Sequence, residues 1–175
     1  MARKPRLILN TEEADEIGTL LGDKRLVSIV GHKIWPHVVV CGCGDGHEED
    51  DIYRHHHGLC KARDEEPMIH KNLTDGGALV LQWNWSLNFG LPGDELMIKK
   101  LGASMRFKET NVLVLRVHAP CRAARETPMG PLKQYEALQV GKSRMLAAYP
   151  KTVVCPFFDV RYADGKLRTY FAELD

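Results

Sequence analysis

Apolar positions first fall at helical spacing. Between Thr11 and Arg25, Ala14, Ile17, Leu20 and Leu21 share one face, Glu12 and Glu13 occupy the first turn, and Thr11 stands as the N-cap. This predicts a short amphipathic helix. Leu26 to Val30 reads as a short strand, and the β-branched run His37 to Gly42 as a strand buried in a parallel sheet, ending in Gly42, Gly44 and Gly46. From Glu48 the chain has acids in front, His55, His56 and His57 behind and Gly58 just beyond, the charge layout of a short capped helix. Residues 60–75 are polar and without a clear period, and Gly76-Gly77 then turns into the apolar Ala78 to Leu81. Glu95 to Phe107 predicts a helix introduced by Pro92 and weakened at Gly102. Asn111 to His118 is the most strand-like run of all, and a helix between two buried strands implies a crossover and a parallel pair. A helix over Gln134 to Tyr149, a strand over Val153 to Val160, a turn at Ala163 to Lys166 and a strand over Leu167 to Phe171 complete an α/β pattern with a mostly parallel sheet flanked by helices.

The 175 residues suit one domain. The helix over residues 1–25 has no obvious seat on a sheet domain of this size, so it is expected to pack on a partner subunit, which implies a homodimer or a higher even oligomer. Lys and Arg number 24 against 23 Asp and Glu, a net charge of +1, so no basic surplus marks a nucleic-acid partner. No apolar run approaches the roughly 18–20 residues of a membrane span, and no signal peptide is expected. Five cysteines with an odd count and a Cys41-Gly42-Cys43 spacing suit thiol or metal chemistry in reducing cytoplasm.

Two clusters lie where buried strands end: Cys43-Gly44-Asp45-Gly46-His47 and His118-Ala119-Pro120-Cys121. In parallel sheets ligands collect at the carboxyl ends of strands, so both clusters should face one crevice. Two thiolates and an imidazole make a borderline-soft set suited to zinc, with the fourth tetrahedral position left open as in a catalytic site. Asp45 can orient a bound water or take that position itself.

On these motifs the chain resembles the beta-class carbonic anhydrases, which carry Cys-x-Asp-x-Arg at one strand end and His-x-x-Cys at another. Thr74-Asp75-Gly76-Gly77 stands where that family has an Asn-Ala-Gly-Gly type turn, Leu101-Gly102 precedes the His-bearing strand, and Phe158-Asp159 through Leu167 resembles its closing strand and turn. The resemblance implies that Cys43, His118 and Cys121 bind Zn2+ and that Asp45 orients the water. It also implies the reaction: hydration of carbon dioxide to bicarbonate by a metal-bound hydroxide.

The departures concern the groups around Asp45. His47 replaces the family's Arg and is a weaker, pH-dependent partner. Arg122 and Arg125 are the candidates to replace the lost guanidinium, and an arginine holder is favoured because its charge persists with pH. An altered surround keeps open a non-catalytic zinc-binding or regulatory homologue, and the same fold could hydrolyse carbon disulfide or carbonyl sulfide. Cys41 is expected in the core on the strand face opposite Cys43, Cys60 and Cys155 are read as structural, and the His55–His57 run as a solvated helix end. Trp83, Trp85 and Phe89 read as packing or a subunit contact, and Gly42, Gly44 and Gly46 do not form a dinucleotide fingerprint.

Overall fold

The apolar runs become strands β1 (Leu26–Ser28), β2 (His37–Cys43), β3 (Met68–Thr74), β4 (Val112–Ala119), β5 (Val153–Arg161) and β6 (Leu167–Ala172). Between them run helices α1 (Thr11–Gly22), α2 (Glu49–Lys61), α3 (Gly93–Phe107), α4 (Arg122–Glu126) and α5 (Pro131–Ala148), with a 3-10 turn over Gly77–Leu81. This is a computed structural model, and it describes residues 6–45, 48–82 and 93–173. Trp83, Trp85 and Phe89 lie outside the described residues.

The strands form one sheet in the order β1-β6-β5-β4-β2-β3. The pairs β2/β3, β2/β4 and β4/β5 are parallel, while β6 lies antiparallel to both β5 and β1. This is the mostly parallel α/β sheet that the sequence pattern predicts. Alternate residues feed two cores, as the period-2 geometry of strands requires. Val38, Val40, Val112 and Val114 pack with Tyr53 and Cys60 of α2, whereas Val39, Leu113, Leu115 and Val117 pack with residues of α1, α3 and α5.

Several local expectations are corrected. Asn10, not Thr11, caps α1: its side chain accepts from the Glu13 N–H at 2.8 Å, and the Glu13 carboxylate accepts from the Asn10 N–H at 3.0 Å, a closed capping box. Helix α2 runs through Gly58 to Lys61, because Cys60 one turn after His56 is fully buried and anchors the extra turn. The polar segment before Thr74 contains β3, an edge strand whose only hydrogen-bonded neighbour among the described residues is β2.

The N-terminal helix is also placed differently. Most of its apolar stripe packs within its own chain, with Ile17 and Leu20 in the core beside α5 and Leu21 half-buried against it, while Ala14 is exposed. Arg125 fixes it there by a two-pronged grip on Glu13, at 2.8 and 2.6 Å, and by a bond to the Ile8 carbonyl at 2.5 Å. Glu16 accepts from the Leu132 N–H at the start of α5.

For the functional residues one relation matters most. Parallel β2 and β4 are neighbours, and the register Cys41↔Leu115 sets the end of β2 level with the end of β4. Cys43 and His118 therefore meet at one edge of the sheet.

Candidate metal centre

Cys43 closes β2, His118 is the penultimate residue of β4, and Cys121 is the N-cap of α4, reached through a cis Ala119–Pro120 bond. Their ligand atoms all lie within 4.8 Å of one another. No other trio of His, Cys, Asp or Glu converges this way among the described residues. His118 and Cys121 are buried and Cys43 is half-buried, both thiols are free of disulfides, and the buried Nε2 of His118 lacks a hydrogen-bond partner among the described residues. A buried nitrogen without a partner requires an explanation, and a metal ion between these three donors supplies one.

The electrostatics point the same way. Hydrogen bonding from Cys121 holds the Cys43 thiol well below the ordinary thiol range against the upward push of burial, and His118 and the Asp45 backbone N–H add to the pull. The same bond to Cys43, together with burial, pushes Cys121 up. Burial acts to lower the His118 pKa, but hydrogen bonding and charge from Cys43, with Asp45 and Glu48 further out, leave it raised. Negative charge thus gathers at Cys43, the one of the three that most favours a positive neighbour. Two thiolates and a neutral imidazole fit Zn2+ in number and softness.

The glycine turn has a definite role at this site. The Gly76 N–H donates to the Cys43 sulfur at 3.3 Å. Gly77 has a φ of +62°, and a Cβ there would sit 2.5 Å from the Arg116 carbonyl and 2.9 Å from the Cys43 nitrogen. Only glycine lets the turn lie this close beneath the strand ends.

Asp45 is half-buried beside the trio, and its carbonyl accepts the Glu48 and Glu49 N–H groups that begin α2. His47 lies outside the described residues. Arg125, expected as a holder of Asp45, is instead committed to Glu13, because a buried carboxylate binds a guanidinium fork in two places and leaves it no second anion to serve. Arg122 opens α4 half-buried and forms no ion pair among the described residues. Cys41 lies fully buried on the same strand face as Cys43, since residues two apart share a face, and burial pushes its thiol up to about 12. It is a core thiol, and its expected opposite-face position is corrected.

A buried polar network beside His118 escaped the sequence reading. Arg116 donates to Asp159 at 2.8 Å and lies 2.9 Å from the Nδ1 of His56, while Thr169 donates to the other Asp159 oxygen at 2.5 Å. Asp159 is the register partner of His118, and Arg116 shares the His118 face of β4, so the ion pair lies beside a metal-ligand candidate. His56 is 1% exposed, not part of a solvated helix end. Gly42, Cys43, Tyr53, Arg116 and His118 line a cavity with about 10 Å³ of room for the centre of a water molecule, enough for one water. Of the residues that line it, Tyr53 at Oη and Arg116 at Nε have buried polar atoms without a hydrogen-bond partner among the described residues. An Arg inside an otherwise apolar strand was the available signal, matched by an Asp in the next one.

No family model and no curated protein matches the chain. Among solved structures, it is similar to a beta-carbonic anhydrase from the protozoan Trichomonas vaginalis, at a TM-score of 0.44 and 10% identity, over 91% of this chain and 96% of that one. It is also similar to a tetrameric beta-carbonic anhydrase from the filamentous ascomycete Sordaria macrospora, at a TM-score of 0.42 and 11% identity, over 89% of this chain and 88% of that one.

Proposed function

We propose that this chain is a zinc enzyme that hydrates carbon dioxide to bicarbonate and a proton. The observation that carries the proposal is the convergence of Cys43, His118 and Cys121 within 4.8 Å at the carboxyl ends of two parallel strands. A bound zinc ion supplies Lewis acidity, lowering the pKa of a water it holds from about 15.7 to about 7.

The chain's own residues do the rest. Cys43, His118 and Cys121 hold the cation, and three protein donors leave one position free. The Gly76 N–H fixes the Cys43 sulfur from behind. Asp45, near enough for its charge to act on His118, would accept a hydrogen bond from a water at the open side and so orient it. The Arg116–Asp159 pair holds β4 to β5 beside His118 and so keeps its ring aimed. Carbon dioxide and bicarbonate are the small-molecule partners, a reducing compartment such as cytoplasm keeps the thiols available, and an even oligomer belongs to the same reading.

One observation favours a second reading, a non-catalytic zinc-binding or regulatory protein: Arg125, one of the two guanidinium groups expected to restrain Asp45, is spent on Glu13. Metal analysis and stopped-flow carbon dioxide hydration on one sample separate the two. Zinc with hydration activity supports the enzyme, zinc without it supports the regulatory protein, and a chain without zinc overturns both. Carbon disulfide and carbonyl sulfide, run as parallel substrates, test the hydrolase alternative.

A further inference from the structure

His37 and His70 face each other at the opposite end of β2 from Cys43. His37 begins β2, and the register Val39↔His70 and His37↔Met68 makes the two histidines diagonal neighbours on one face of the sheet. Their Nε2 atoms are 3.3 Å apart, and the ring planes meet at 65°. Two imidazole nitrogens held about 2.05 Å from one tetrahedral dication lie about 3.3 Å apart, so the pair already has the spacing of a two-histidine chelate.

We propose that His37 and His70 form a second metal site, for a borderline divalent transition ion such as Ni2+ or Zn2+. Both rings are half-buried, so an ion can reach them from solvent, and the backbone that carries them is fixed. β2 and β3 are hydrogen-bonded through this register, and the Thr110 hydroxyl donates to the His37 carbonyl at 3.0 Å. Burial, Lys108 and His37 keep the His70 pKa below its ordinary value, which leaves its ring nitrogen available as a donor at neutral pH. Imidazole is the preferred ligand of these ions, and two protein donors leave the remaining positions to water or a small anion. His37 and Cys43 stand at the two ends of a seven-residue strand, about 20 Å apart, so this site is independent of the first. Its occupation would pin the edge strand β3 to β2.

The test is calorimetric titration of the 175-residue protein, first saturated with zinc at the Cys43, His118 and Cys121 centre, with Ni2+, alongside His37→Gln and His70→Gln and a nuclear magnetic resonance titration of the wild type. One Ni2+ site is expected, weakened about tenfold or more by either substitution. Paramagnetic broadening should centre on residues 37–39 and 68–72. Absence of binding, wild-type affinity in both variants, or broadening centred on Cys43, His32, His55 or His57 would overturn the proposal. If either variant fails to fold, the broadening pattern of the wild type decides.

Discussion

Arg116 and Asp159 are opposite charges sealed within adjacent strands, at 2% and 0% exposure. Removing one strands the other in the core. Asp159→Leu should therefore cost about 3–5 kcal/mol, whereas the double change with Arg116→Met should recover much of the loss, since apolar pairs replace buried ion pairs well. Urea midpoints of the two variants check this. His56, bonded to the same guanidinium, is held near a pKa of about 3 by burial first and by the Arg116 charge second, against an ordinary 6.5. Below pH 6.5 the unfolded chain takes up a proton there that the folded chain refuses until about pH 3. The unfolded state then binds more protons, so stability falls as pH falls through that window. His56→Gln should give a shallower acid limb when unfolding free energies are compared between pH 7 and pH 4. Both charged residues were visible in the sequence, in Leu115-Arg116-Val117 and Phe158-Asp159-Val160. Their pairing was not, because it depends on a register between strands that sequence spacing does not state.

At the scale of elements, two glycines make opposite predictions. Gly58 lies inside α2 with open space around a would-be Cβ. Gly58→Ala should raise stability by about 0.5–1 kcal/mol. Gly77, in a left-handed conformation with backbone atoms 2.5 and 2.9 Å from any Cβ, should lose about 2 kcal/mol or more on substitution by Ala, and zinc content should fall as the turn retreats from Cys43. Thermal melts and metal analysis of the two variants give the comparison. Gly58 is a local stop signal that α2 overrides, because burial of Cys60 outweighs it. Strand β3 was illegible for a related reason. Met68-Ile69-His70-Lys71-Asn72 alternates poorly, as an edge strand that is only partly covered has little need to. The long apolar runs of β2, β4 and β5 were legible because both their faces are buried.

The whole molecule shows why the three donors could be named in advance while their surroundings could not. Cys43, His118 and Cys121 end strands, and strand ends in a parallel sheet share an edge whatever the helices do. Arg125 was assigned to that edge by proximity in sequence to Cys121, but its partner Glu13 comes from α1, whose docking on α5 is a matter of tertiary packing. Arg125→Gln should loosen α1 by about 1–2 kcal/mol while zinc content stays at the wild-type level, read by hydrogen exchange of residues 11–22 and by metal analysis.

Strand β1 has consequences for a chain still being made. Its partner is β6, with Leu26 set opposite Ala172 and Ser28 opposite Tyr170, so the third strand-forming residue of the chain waits for nearly the last. At about 5–20 residues per second, a ribosome takes about 7–30 s to deliver that partner. During that interval β2, β3 and β4 can pair in order of synthesis. The face of α1 that ends beside α5 stays uncovered until α5 has emerged, so a growing chain presents Ile17 and Leu20 to chaperones first and to its own core afterwards.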